Sequence, residues 1–305
     1  MSDPGAIGMP MLGFGTWQLS DDIVGMCVNE ALDVGYRHVD CAYMHQNEDE
    51  IGPIFSSRVE SDIFVTSKLG SEFHNVSDVR PSCRESLYSL HREKINMFLI
   101  NHPVRTEMDF FPLWYSKGSL QDTWRQMVLL KEEGLAAHVG VSNFTVQKLE
   151  WLCETELVPE NNQVEMHPYL PQKKLLEYCR DLKIVLSAYA PLGSYGTDFK
   201  ALGHSDESPY VMEDSCLKKI ATKYDTSVAS ILIKWGLLRG TPVIVRSHNP
   251  KHILENFRAQ TLVLSKKDIE EIDALYPSHR ARYFDFKHLC PTDKEVSELW
   301  DGEYF

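Results

Sequence analysis

His138-Val139-Gly140-Val141, then a stretch of helical period from Thr145 to Glu156, a break at Pro159 and finally Asn162-Gln163-Val164-Glu165: this segment decides the fold. Two short apolar runs flank a helix, and strands joined through a helix must run parallel, because a tight turn cannot make a parallel crossover. The same unit recurs in both directions. Upstream strand candidates are Leu12–Thr16, Arg37–Asp40, Ile63–Ser67 and Met97–Ile100; downstream ones are Ile184–Ala188 and Pro242–Val245. The helices between them have readable ends. Ser20 is placed to cap Asp21–Val34, which stops at Gly35, Ser77 precedes Asp78–Leu90, and Ser119–Glu133 stops at Gly134. Eight such units predict an α/β fold, a closed (β/α)8 TIM barrel with its chemistry at the C-terminal ends of the strands. A doubly wound sheet in two domains is the alternative. No Pro/Gly/Ser linker or shift of composition divides residues 1–305, so a single barrel domain is expected.

The segment from Pro191 to Thr241 is long for a connection. It holds Tyr195, Phe199 and Tyr210, then helical segments near Ser215–Lys223 and Ser227–Leu238. The tail beyond Tyr276 carries Tyr283, Phe284, Phe286, Trp300, Tyr304 and Phe305. Long loops on compact domains often serve as lids or binding walls, so long substrate-side loops and an aromatic C-terminal tail are expected. The net charge is −13, which repels phosphate backbones and argues against nucleic acid as a partner. Seven cysteines without a CxxC pair read as reduced thiols, no Lys or Arg precedes Arg37, and no apolar run nears the ~20 residues that span a bilayer. A cytoplasmic protein with a small-molecule substrate is expected, with no membrane and no obligatory protein partner readable.

The strand ends carry the candidate chemistry. Gly13-Phe14-Gly15-Thr16-Trp17-Gln18 lacks the last glycine of GxGxxG, and no GxxxxGK[ST] occurs. Asp40 and Lys68, at neighbouring strand ends, form a charge pair that can tune an acid–base group or serve structure alone. Ser142, Asn143 and Gln163 offer the donors and acceptors that a primary carboxamide needs, and Tyr189 offers a face for a planar ring. Arg246 and Ser247 precede Asn249-Pro250, a good helix start, and a phosphate binds well at such a place. Carboxamide partners, a stacking ring and a phosphate pocket on one barrel face point to a nicotinamide dinucleotide. His248 and His252 have the spacing of a metal pair, but no third ligand is evident and no metal is expected.

The motifs Gly13–Trp17, Gly35–Asp40, Val65–Leu69, Gly140–Phe144, Asn162–Leu170, Tyr189–Ser194 and Glu255–Phe257 are colinear. Through them the chain resembles the aldo-keto reductases, NADPH-dependent (β/α)8 oxidoreductases, and especially their aldose reductase-like branch. That resemblance implies NADPH or NADP+ as cofactor, lying against Gly15, Thr16 and Asp40. Ser142, Asn143 and Gln163 would hold its carboxamide, Tyr189 its nicotinamide face, and Leu192 and Ser194 its pyrophosphate. Arg246, Ser247, Asn249, His252, Glu255 and Asn256 would grip the 2′-phosphate and adenine. Trp17, Tyr43 and His102 are expected as substrate walls.

Two departures matter more than the matches. The family tetrad is Asp, Tyr, Lys and His. Here Asp40-Cys41-Ala42-Tyr43-Met44-His45 places His45 at the tyrosine position, and Leu99-Ile100-Asn101-His102-Pro103 places Asn101 at the histidine position. Asp40 and Lys68 remain. Asn101 donates a hydrogen bond but cannot release a proton; His45 can be the acid, although Lys68 beside it disfavours the imidazolium, and Tyr43, two residues away, or water is the alternative donor. The resemblance thus implies hydride transfer to an aldehyde or ketone, or to a related C=N or conjugated C=C group, with a remodelled proton donor. The alternative is a catalytically silent NADP(H)-binding protein, crystallin-like or regulatory.

Overall fold

The computed structural model describes residues 4–58, 62–106, 112–113, 116–194, 210–276, 278–286 and 293–303. Eight parallel strands close into a barrel: β1 (Leu12–Gly15), β2 (His38–Asp40), β3 (Phe64–Leu69), β4 (Ile95–Ile100), β7 (Ala136–Ser142), β8 (Asn161–Glu165), β9 (Val185–Tyr189) and β10 (Val243–Val245). They are hydrogen-bonded in chain order, and β1 meets β10 (Leu12 beside Val243) to shut the ring. This is the (β/α)8 barrel expected from the alternating pattern. A small antiparallel pair, β5 (Arg105–Thr106) with β6 (Pro112–Leu113), lies outside the ring and was not signalled by the sequence.

The period of two along each strand divides its side chains between two environments. Phe14, Val39, Val65 and Val245 point outward and pack on Val24, Val28 and Ala31 of helix α1 (Asp21–Val34). Phe98, Val139, Val141, Val164 and Leu186 do the same opposite, under Trp124 of α4 (Lys117–Glu132) and Leu149 of α5 (Val146–Cys153). Each such side chain contributes roughly 1.5–3 kcal/mol on leaving water. Inward, Met9, Phe64, Met97, Leu99 and Val185 plug the N-terminal end of the barrel. Above this floor, a Cβ on Gly13 would stand 2.7 Å from His38 Nδ1, so only glycine lets the two strands approach here.

The remaining helices are α2 (Glu48–Ser57), α3 (Val79–Ser89), α6 (Lys173–Asp181), α7 (Ser215–Lys223), α8 (Val228–Leu238), α9 (Pro250–Arg258), α10 (Lys266–Asp273) and α11 (Asp293–Trp300). Helix α1 stops as expected at Gly35, whose φ of 119° is left-handed. Ser20 occupies the cap position, yet its hydroxyl donates to Asp22 at 2.5 Å instead of accepting from the first turn. Helix α3 is capped by position at Asp78, one residue beyond Ser77, without a side-chain bond. Helix α4 begins at Lys117, two residues before the expected Ser119, because Ser116 Oγ accepts from Ser119 N. Thr145 lies outside α5 as its cap, and α5 ends at Cys153, short of Glu156.

The C-terminal segment folds back over the barrel. Lys148 Nζ donates to the main-chain oxygens of Glu298 and Leu299 (3.1 and 2.8 Å), at the end of α11, and to Asp301 at 2.5 Å. A cation at a helix C-terminus satisfies carbonyls that the helix itself leaves open. Arg282 stacks over the Trp300 ring, 3.7 Å from its centre. Tyr195, Phe199, Tyr304 and Phe305, singled out in the sequence, lie outside the described residues. Among the described residues, no helix is long and apolar enough to cross a membrane.

Candidate active site

A cavity of about 360 Å³ opens at the C-terminal ends of the strands. Its wall follows from the period of two. Phe14, Val39, Ile100, Val141, Ala188 and Val245 face the helices, so their chain neighbours Gly15, Asp40, Asn101, Ser142, Tyr189 and Arg246 face the barrel axis, and all six line the cavity. Lys68 and Gln163 join them from β3 and β8.

Asp40 is the hub. Its Oδ1 accepts from Lys68 Nζ at 2.5 Å and its Oδ2 from Gln163 Nε2 at 2.6 Å. Lys68 also donates to Cys41 O at 2.9 Å. Both charged residues are only 3% exposed, so each ion is compensated by contact rather than by water. Beside them, Ser142 Oγ donates to Gln163 O, and Asn143 Nδ2 donates to Asn101 O and Ser142 Oγ. Asn143 sits at φ 65°, a left-handed conformation that asparagine tolerates better than most residues. Its Oδ1 accepts from the Tyr189 phenol at 2.7 Å, which fixes that ring. Burial, helped by nearby Glu165, raises the Tyr189 pKa well above the ordinary phenol value, so the group stays protonated.

His45 lies in a short 3-10 turn (Tyr43–His45) after β2. The Thr16 hydroxyl donates to Asp40 O at 3.1 Å and contacts His45 Nδ1 at 2.9 Å. A hydroxyl has one proton. The carbonyl also accepts from Thr16 N at 3.1 Å, so the hydroxyl proton serves either acceptor and both tautomers of His45 fit the contact. Burial and the Lys68 charge push the His45 pKa well below the ordinary histidine value, so the ring is neutral. Asn101 donates its Nδ2 to Met44 Sδ at 2.9 Å. Thus His45 and Asn101 do reach the cavity, and His45 enters it as a neutral ring.

Trp17 and His102 line the cavity. Trp17 packs edge-on against Phe284, His102 against Phe286, and Phe284 also against Tyr189. Tyr43 is not brought in. Its ring packs edge-on against Phe73 with centres 4.9 Å apart, on the far side of the turn that delivers His45. Leu192 and Ser194 line the cavity, in a loop where Ala190, Gly193 and Ser194 all have positive φ. Such coiled backbone forms concavities that suit anions. Arg246 is held by Gln18 O at 3.3 Å; burial lowers its pKa, but a guanidinium remains charged. Thr16, Ser247, Asn249, His252, Glu255 and Asn256 are outside the cavity lining. Thr16 backs His45, and the others lie in or just ahead of α9, whose start is capped by Asn249 Oδ1 on Lys251 N.

Two contributors escaped sequence reasoning. Met44 lines the cavity, and nothing in its neighbourhood marks it. Glu165 is fully buried at the end of β8 and accepts from the main-chain N–H of Tyr283 and Phe284 (2.7 and 2.9 Å) and from His167 Nε2. Burial works to raise its pKa, but the His167 bond and nearby charges bring it below the ordinary value, so it is a carboxylate. A buried carboxylate two residues before a histidine was the available signal.

The fit to a dinucleotide rests on the donor set itself. A fixed aromatic ring, amide and hydroxyl groups, a left-handed loop, a half-buried Arg and a capped helix start follow one another along one rim. The aldo/keto reductase family model matches residues 6–277. The chain is 35% identical over 307 residues to an aldo/keto reductase of Synechocystis, covering 96% of this chain and 93% of that one. It is 36% identical over 288 residues to aldo-keto reductase family 1 member A1 of Gallus gallus, covering 89% and 87%. The aldose reductase structure of Schistosoma japonicum superposes with a TM-score of 0.82 at 30% identity, over 94% of each chain.

Proposed function

The chain belongs to the aldo/keto reductase family, whose members are oxidoreductases that use nicotinamide cofactors to reduce carbonyls, and from that premise we propose an NADPH-dependent hydride-transfer enzyme with an altered proton site. One observation carries the reading: Asp40, Lys68, Gln163, Ser142, Asn143, Tyr189 and Arg246 share a single cavity wall. NADPH, when bound, supplies the hydride. Tyr189 offers its ring face for stacking, and its bond to Asn143 keeps that face in place. Gln163 spends Nε2 on Asp40, which leaves Oε1 to accept from a carboxamide. Loop 190–194 suits a pyrophosphate, while Arg246 and the start of α9 suit the extra phosphate of NADPH.

Asp40 and Lys68 hold the floor of the reaction site as a neutral unit, and the aromatic walls Trp17 and Phe284 exclude water. Compared with the family pattern, His45 stands for the phenol and Asn101 for the imidazole. We read residues 1–305 as one barrel unit, and the free thiols at Cys27, Cys41 and Cys83 suit a cytoplasmic setting. The second reading is a silent NADP(H)-binding protein, and the state of His45 favours it, since burial and the Lys68 charge hold its pKa well below the ordinary value and a ring that resists charging is a poor proton donor. The test is purified protein with NADPH and a panel of aldehydes, ketones, enones and imines, followed by loss of cofactor absorbance. Turnover of any class supports the enzyme; tight binding with no turnover supports the silent reading; no binding ends both.

A further inference from the structure

Resting on the hydride-transfer reading above, we infer that Asn47 is a positioning residue for this site: its buried amide fixes the turn at 16–19, and through that turn it sets the substrate wall at Trp17 and the contact of Thr16 with His45. Asn47 itself does not line the cavity. It stands two residues after His45, at the cap position of α2. Asparagine is among the best helix caps, yet this side chain makes no bond to the first turn of α2. It reaches the turn at 16–19 instead: Nδ2 donates to Thr16 O at 3.0 Å and to Leu19 O at 2.9 Å. An amide nitrogen carries two hydrogens, so both are used. The orientation is forced, because in the flipped amide Oδ1 would face the same two carbonyl oxygens. Asn47 is 2% exposed, and its Oδ1 has no hydrogen-bond partner among the described residues. A buried acceptor left without a partner costs stability. Capping does not account for this amide; its two donors do.

The turn needs such a fastener. Leu19 N donates to Thr16 O at 3.2 Å and closes four residues, with Trp17 and Gln18 at the corners. Gln18 has φ 57°, and a turn with positive φ at its third position favours glycine. Another residue persists in that region where its surroundings fix it. Asn47 fixes both ends. Between them Trp17 lines the cavity and packs edge-on against Phe284. At the first end, Thr16 N and Oγ1 both donate to Asp40 O at 3.1 Å, and Oγ1 lies 2.9 Å from His45 Nδ1, a contact that either tautomer of His45 makes. One amide thus ties the exit of β1 to the exit of β2. Thr16 has a second hold, on Asp40, so Trp17 is the group that moves most when Asn47 is lost. A shift of about 1 Å in a positioning group costs up to roughly a hundredfold in rate.

The experiment compares the full chain with Asn47→Ala and with Asn47→Asp, which keeps the shape but turns an acceptor toward both carbonyls. The parent comes first. If it fails to bind NADPH, followed by cofactor fluorescence, or turns over none of the panel above, the hydride-transfer reading falls and this inference with it. With the parent active, kcat/KM for its fastest panel compound (nitrobenzaldehyde standing for the aldehydes) should fall by about ten- to a hundredfold in both variants. Unfolding in urea should stay cooperative. Activity alone does not separate position from stability, so a local signature is read as well: the nitrogen-15 NMR signal of the Trp17 indole, assigned through Trp17→Phe. It should shift or broaden in both variants, while the signal of Trp235, whose N–H donates to Asp273 at 2.8 Å, stays where it is. An unmoved Trp17 signal, equal movement of the two signals, an unchanged kcat/KM, or failure of both variants to fold overturns the inference and leaves the enzyme reading standing.

Discussion

Lys68→Met and Asp40→Asn, alone and together, separate what the buried pair does for stability from what it does for chemistry. Lys68→Met strips Asp40 Oδ1 of its 2.5 Å partner and Cys41 O of its 2.9 Å partner, and leaves the carboxylate with the Gln163 amide alone. Both residues are 3% exposed, so water does not replace what is lost. An uncompensated buried ion of this kind costs about 3–5 kcal/mol. Asp40→Asn leaves the opposite ion stranded, at a similar cost. In the double variant no charge remains. What persists is the unpaired Cys41 carbonyl and one amide N–H, at about 1–3 kcal/mol each, softened because Gln163 still finds an oxygen at position 40. Urea unfolding should therefore rank the double variant as no less stable than either single one. Its cost should fall short of the summed single costs by roughly 3 kcal/mol or more. All three variants should lose hydride transfer. Additive costs would refute the idea that the two ions act as one neutral unit, and activity surviving Lys68→Met would remove Lys68 from the reaction.

Arg246→Ala should weaken NADPH by roughly ten- to a hundredfold and leave NADH nearly unchanged, since a charged hydrogen bond contributes about 1.5–3 kcal/mol; equal losses in Trp fluorescence titrations would move the extra phosphate elsewhere. Tyr189→Ala should cost NADPH binding about 1 kcal/mol or more through the lost ring face, and an unchanged dissociation constant would displace the nicotinamide from that wall. Glu48 is buried, and burial raises its pKa from 4.5 to about 7 even though Ser67 and Ser86 hydrogen-bond it. With its folded pKa above the unfolded one, its contribution is complete below pH 4.5 and is lost as pH climbs to about 7. Glu48→Gln should therefore gain on the parent by roughly 3 kcal/mol between those limits, read from urea midpoints; a difference that stays constant, or moves in favour of the parent as pH rises, contradicts the burial argument.

The barrel was legible because its signal is redundant. Each of the eight strands has an apolar outward set, such as Phe98 and Ile100, and a helix on either side, so no single misjudged boundary changes the topology. Helix starts were less legible, since Ser116 and Ser119 are both plausible caps and only the bond from Ser119 N to Ser116 Oγ decides between them. The strand-end residues of the site followed from the same period of two. Tyr43 and His45 did not, because a 3-10 turn rotates neighbouring side chains by about a third of a turn each, and two residues apart is enough to send one ring to Phe73 and the other to the cavity. The protonation of His45 was beyond any motif. It depends chiefly on how deeply the ring is buried, a fact of three-dimensional packing.

Glu165 holds the aromatic wall through the main-chain N–H groups of Tyr283 and Phe284, not through their side chains. Nearly every amino acid carries that N–H; only proline lacks it. The fastening is therefore indifferent to the residues it fastens. Phe284, which meets Trp17 and Tyr189, can be exchanged for a smaller or more polar residue while the segment stays moored to the barrel rim. A lineage can thus rewrite what this wall recognises one side chain at a time, without first rebuilding the joint that keeps it in place.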